Sequence, residues 1–314
     1  MAMWILLAVA AGAASGLLNA GAAVGSTSAL LLSHFTLLPL FMAGLGIGLA
    51  GALLASAVGL LVIGIVAGPL SAFVYAGVNA LPATMLCRQA LLSRPVSGGK
   101  LEWYPGGRLL TWLLAITAAI YFLVLAYFEV FEDGLTTAVR AAMRQYIEAI
   151  GPAMQPQGVE ALMSAAPFVP GIAAAYYVLN TALNGALAQH VLRRSGRNLR
   201  PSIGFAELTL PPQLVYVLAA SVAVAIISNA FAPIANTLAS ILLVAYFLLG
   251  LAVAHAYLGR RVNRGMALFS FYVILLLLMV LFAPVGLAVV GLGVIEQVFG
   301  IRRRFAAGAD EEDE

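Results

Sequence analysis

Apolar residues run almost unbroken along this chain, and its few polar positions mark where it surfaces. A helix needs about 20 residues to cross the hydrocarbon of a bilayer. On that ruler the first part of the chain predicts spans near Met3–Val24, Thr27–Leu45, Gly46–Ala67 and Leu70–Leu92. Only Gly, Ser and Pro punctuate them, so the region holds three spans or four. The second and third stay separate or merge, or one of them is re-entrant. A polar loop, Ser93 to Arg108, comes next, and Leu109–Val130 is the fifth span. Its far end is aromatic (Tyr121, Phe122, Tyr127, Phe128, Phe131), as at a membrane interface.

Glu132 to Ala166 is the one sizeable polar segment. Leu135, Val139, Met143, Tyr146 and Ile150 recur at three- and four-residue spacing, with Arg140, Arg144 and Glu148 on another face. That pattern predicts an amphipathic helix capped by Asp133 and stopped at Gly151-Pro152, with a second short helix over Gln157–Ala165. The pair reads as a helical hairpin resting on the membrane, with a lid over a cavity as the alternative. Apolar runs resume at Phe168–His190, Leu214–Phe231 and Pro233–Leu258. Met266 to Ile301 is about 36 residues, roughly 54 Å of helix, too long for one pass, and Pro284 divides it into two.

Composition makes the bilayer the solvent. Of 314 residues, 63% are hydrophobic and 9% charged, against about 25% charged in soluble domains. The N-terminal stretch lacks a basic region and reads as a retained first helix rather than a secretory signal. The one cysteine, Cys87, excludes an intramolecular disulfide and a cysteine-cluster metal site. Charge placement then orients the chain. Arg88/Arg94/Lys100/Arg108, Arg193–Arg200, Arg260–Arg264 and Arg302–Arg304 are basic clusters, expected in the cytoplasm. Glu129–Glu160 is acidic on balance and expected outside. Parity agrees with Pro284 dividing the last run, giving about 8–10 spans in all. The expected fold is an all-α polytopic bundle. One membrane domain covers 1–304, with an extracytoplasmic insert over 132–166, and an acidic, disordered cytoplasmic tail covers 305–314.

No catalytic constellation is visible, and the chain reads as neither an enzyme nor a metal or cofactor protein. His34, His190 and His255 lie in different spans, and no carboxylate stands at metal-ligand spacing. Small-residue pairs at four-residue spacing (Gly12/Gly16, Gly21/Gly25, Gly44/Gly48, Gly64/Gly68) read as helix packing. Asn180 and Asn184 share a face of the sixth span, with Thr181, Tyr176 and Tyr177 nearby. Amides in lipid need partners, so these either join helices or face a small solute. Glu296 is an intramembrane carboxylate, a functional group or a partner for Arg302. Glu102, Trp103, Tyr104, Arg108 and Glu207 sit in basic loops. They either order those loops, with Arg108 or Arg200 fixing the carboxylates, or dock a cytoplasmic protein.

The run Leu81-Pro82, Cys87-Arg88, Leu92, Glu102-Trp103-Tyr104-Pro105 and Gly107-Arg108-Leu109-Leu110 resembles domain-of-unknown-function family 2232, with its YybS-like members. So do Phe205, Glu207, Leu210-Pro211 and the closing Glu296 with Arg302-Arg303-Arg304. The resemblance implies a bacterial inner-membrane protein without assigned activity. It also implies a distant similarity to the substrate-binding components of energy-coupling-factor transporters. Two functional expectations follow. One is a transport-type component that binds a small solute in the bundle. The other is a non-transporting scaffold or assembly factor. The expected partners are the lipid bilayer and a cytoplasmic protein, for energy coupling or assembly, with no nucleic acid.

Overall fold

A computed structural model describes residues 3–21, 27–150, 155–259, 263–282 and 284–304. Among the described residues the secondary structure is helical but for one short β-hairpin. Among the described residues, seven helical stretches are long and apolar enough to cross a membrane, and two shorter apolar helices accompany them. The helices gather into two compact units, Met1–Ile116 with Leu179–Gly204, and Thr117–Val178 with Phe205–Glu314.

The first unit opens with α1 (Met3–Gly21), α2 (Thr27–Ser33), α3 (Leu37–Ile47) and α4 (Leu49–Tyr75). The expected second span is therefore two helices, parted by a turn at His34-Phe35-Thr36. Gly48 (φ 107°) ends α3 in a conformation open to glycine, and the chain reverses there. A Cβ on Gly44 would lie 3.2 Å from that of Ala52, across the turn. Gly68 (φ 84°) followed by Pro69 breaks α4 in the same way. Ser56 Oγ lies 3.2 Å from Thr84 Oγ1, whereas a straight helix would part them by roughly 42 Å. So 49–67 and the segment after Pro69 form an antiparallel pair, and the third and fourth spans are separate. A π-turn, Ala76–Ala80, leads into α5 (Leu81–Ala90).

Packing here depends on missing side chains. A methyl on Gly12 would overlap the Ala55 carbonyl, and one on Gly16 would come within 2.8 Å of Val62 Cβ. Gly44 leaves room for the buried Cys87. Gly48 and Gly68, expected to pack, instead turn the chain, and Gly25 lies outside the described residues. After α5, strands β1 (Ser93–Pro95) and β2 (Leu101–Trp103) pair antiparallel, with Arg94 opposite Glu102. Then α6 (Gly106–Phe131) begins. It belongs to the first unit through Ile116 and to the second from Thr117.

In the second unit, α7 (Leu135–Ile150) and α8 (Pro156–Ser164) form the amphipathic segment. The cap of α7 differs from expectation: the Leu135 N–H donates to Glu129 Oε1 at 3.3 Å rather than to Asp133. The proposed stop at Gly151-Pro152 lies outside the described residues. Next is α9 (Val169–Arg194), whose residues from Leu179 onward belong to the first unit. The second unit continues with α10 (Gln213–Ile227), α11 (Ala232–Leu258), α12 (Arg264–Leu281) and α13 (Val285–Phe299). The last run does divide at Pro284. Gly293 sits against the Tyr246 carbonyl and Gly250 against that of Val289, so α13 and α11 touch backbone to backbone. Arg260 and Arg261, and the acidic tail after Arg304, lie outside the described residues.

Candidate functional site

The break between α2 and α3 strips carbonyl oxygens of their helical partners, inside a run that carries no charge. Polar side chains from two other helices come to it within the first unit. Ser15 Oγ on α1 donates to the Thr36 carbonyl at 2.7 Å and lies 2.7 Å from the Tyr75 hydroxyl. Asn184 Nδ2 on α9 donates to the His34 carbonyl at 2.9 Å and to that of Asn180 at 2.8 Å. Thr36 Oγ1 returns to the Ser33 carbonyl. The Asn184 amide thus ties α9 to the break.

That satisfies one end of Asn184 only. Both groups facing its nitrogen are acceptors, so the amide orientation is fixed and Oδ1 points the other way. Asn184 is 2% exposed, and Oδ1 has no hydrogen-bond partner. One turn back on the same face, Thr181 is 1% exposed, and its Oγ1 is also unpartnered. Helical hydroxyls elsewhere in the chain bond back four residues: Thr111 to Gly107, Ser221 to Val217, Thr237 to Pro233 and Ser240 to Asn236. Thr181 does not. Each such orphaned group costs about 1–3 kcal/mol. Asn180 is half-buried and accepts weakly from Asn184 at 3.3 Å. Tyr176 is exposed and Tyr177 half-buried, and both fall in the second unit.

The loop residues are ordered by partners other than those expected. Glu102 pairs with Arg94 across the hairpin at 2.7 Å, not with Arg108 or Arg200. The Arg94 hydrogen bond, and then its charge, hold the Glu102 carboxyl below the usual range. Arg108 is exposed. Arg200 is 6% exposed and donates to the carbonyls of Ala90 at 2.8 Å and Tyr104 at 3.3 Å. Its guanidinium lies 5.9 Å from the Trp103 ring centre. Burial lowers its pKa. Gln189 and Asn198 in turn hold the Arg200 carbonyl, each at 2.8 Å. Tyr104 is further held by Trp112, whose indole donates to its hydroxyl at 3.0 Å.

The second unit has a parallel device. Glu296 is buried and bonds Arg302 twice, through Nε at 2.8 Å and the backbone N–H at 3.0 Å. Arg302 then donates to the carbonyls of Ala206 and Leu208, and Gln297 to that of Leu210 at 3.1 Å. This holds the loop before α10, where Glu207 is exposed. His255 Nδ1 lies 3.1 Å from the Tyr272 hydroxyl, with the Phe205 ring edge-on. Among the described residues no group of three or more His, Cys, Asp or Glu is placed to hold a metal ion.

Arg200, Ser15, Thr36 and Tyr75 are the residues that sequence reasoning underrated. Ser15 lies within the Gly12/Gly16 stripe, which is a readable signal; Arg200 was expected to fix a carboxylate and holds backbone carbonyls instead. No curated protein and no solved structure matches the chain. The profile described as Predicted membrane protein (DUF2232) matches residues 22–296. Its extent agrees with a fold whose helices run almost the length of the chain, and by that match the chain belongs to the DUF2232 family of predicted membrane proteins.

Proposed function

We propose that this protein is a transport-type membrane component that binds a small solute inside its first unit, beside the α2–α3 break. The supporting observation is the pair of orphaned oxygens, Thr181 Oγ1 and Asn184 Oδ1, next to an interrupted helix. Interrupted membrane helices are tolerated where they line a cavity or are covered by protein. Covering accounts for the nitrogen of Asn184 and leaves its oxygen unexplained. The membrane is a bacterial inner membrane, with the basic loops in the cytoplasm, as the bias of arginines and lysine supports. On this reading the protein is not an enzyme.

The full-length protein, extracted from native membranes, is to be compared with Asn184→Ala by mass spectrometry of released small molecules. A solute recovered with the wild type and lost from the variant supports solute binding; identical spectra refute it. A second reading, a scaffold or assembly factor, is favoured by the loops that Arg200 and Arg302 hold rigid. In it, the hairpin with Glu102, Trp103, Tyr104 and Arg108, or the Glu207 loop, docks a cytoplasmic protein. Pull-down of a nucleotide-hydrolysing subunit would favour energy coupling, and pull-down of other membrane proteins would favour assembly.

A further inference from the structure

We infer that the site at Thr181 and Asn184 takes an uncharged small molecule that donates hydrogen bonds through N–H or O–H groups. This rests on the solute-binding reading and adds the chemistry of the solute. The site leaves two buried oxygens unmatched. Asn184 Oδ1 can only accept, because its nitrogen is committed to the His34 and Asn180 carbonyls. Thr181 Oγ1 can accept, and donate once. The carbonyls of the neighbouring break are already met by Asn184, Ser15 and Thr36. What is left unmatched is therefore one pure acceptor and one hydroxyl.

Charge narrows the class further. The sequences of α1, α2 and α3, and residues 179–192 of α9, contain no Asp, Glu, Lys or Arg. A cation would meet oxygens of the right polarity but no counter-charge, within a membrane interior where an unpaired ion is costly. An anion would face acceptors and be repelled. A neutral donor such as an amide, a lactam or a polyol matches the oxygens without that cost. It also accounts for the spacing. Residues three apart leave a helix on one face, so one molecule with two donors can reach both. A lone buried water is the smaller occupant with the same polarity, and the experiment separates it.

Full-length protein in detergent is titrated with acetamide, uracil and inositol as neutral donors, and with sodium, ammonium and acetate as ions. Binding is read from the thermal unfolding midpoint. The variants are Thr181→Val, which keeps the shape, and Thr181→Ser, which restores a hydroxyl. At least one neutral probe should stabilise wild type and T181S, and bind T181V ~tenfold more weakly, the loss of about one hydrogen bond. Without probes, T181V should unfold no earlier than wild type, since the hydroxyl holds nothing in the protein. If an ion gives the Thr181-dependent shift and the neutral probes do not, the inferred class is wrong while solute binding stands. If no probe distinguishes wild type from T181V, the site holds water or nothing, and both readings fall. Early unfolding of T181V alone would show the hydroxyl to be bonded within the protein and would overturn the inference.

Discussion

Single side chains hold this protein's loops, and two of them make opposite kinds of ion pair. Glu296 and Arg302 are largely buried, so removing one leaves the other desolvated and alone. Glu296→Ala should cost roughly 3 kcal/mol, read as an earlier unfolding midpoint in a denaturing-detergent titration. Glu296→Leu combined with Arg302→Met should recover part of that loss; equal costs for the single and double variants would mean the pair does not couple. Glu102 and Arg94 are exposed, so their pair is screened and contributes little. Its pH dependence is nonetheless defined. The carboxyl is held low by Arg94, so its contribution is complete above the usual glutamate value, about 4.3, and is lost as pH falls through the lowered one. Trp103 fluorescence should therefore be flat from neutral pH down to the carboxylate range and change below it. In Arg94→Gln the change should begin at higher pH. The sequence placed Glu296 within reach of Arg302, because six residues along the chain, the last three past the end of α13, is a short span. It did not name Arg94 as the partner of Glu102, because pairing across a hairpin depends on a register that the Gly-rich loop does not announce.

Among the elements, the breaks separate what the sequence could tell from what it could not. Gly48 and Gly68 stand at the ends of runs about one membrane thick, so length and residue type agreed. The α2–α3 turn is built from His34, Phe35 and Thr36, with neither Gly nor Pro. Only tertiary partners, Ser15 and Asn184, reveal why the helix can stop there. Gly12 and Gly68 also answer differently to substitution. A Cβ at Gly68 meets open space but demands an unfavourable φ, so Gly68→Ala should cost about 1–2 kcal/mol. Gly12→Val forces a side chain into the Ala55 carbonyl and should cost about 3 kcal/mol by overpacking. The same detergent titration would read both, and a milder effect at Gly12 than at Gly68 would contradict the tight contact between α1 and α4.

At the scale of the whole molecule, the sequence made the membrane evident and the two units invisible. A domain boundary normally shows as a polar linker, but α6 and α9 pass through the division as ordinary apolar helices. The orientation is testable because Cys87 is buried, its thiol shielded from labelling reagents. In otherwise wild-type protein, Lys100→Cys and Arg304→Cys should react with an impermeant maleimide only after the cytoplasmic face is opened. Glu148→Cys should react in intact spheroplasts. Labelling of Lys100→Cys from outside would reverse the proposed orientation.

The division of α9 also sets an order of events during synthesis. Residues through Ile116 supply most of the first unit, but Leu179–Gly204 completes it. At about 5–20 residues per second, the ribosome needs roughly 3–13 s to make the intervening stretch. Throughout that interval the His34 carbonyl has no Asn184 amide and the Ala90 carbonyl no Arg200 guanidinium. The bonds that close the α2–α3 break and hold the end of α5 thus wait for this late segment, which also delivers Thr181.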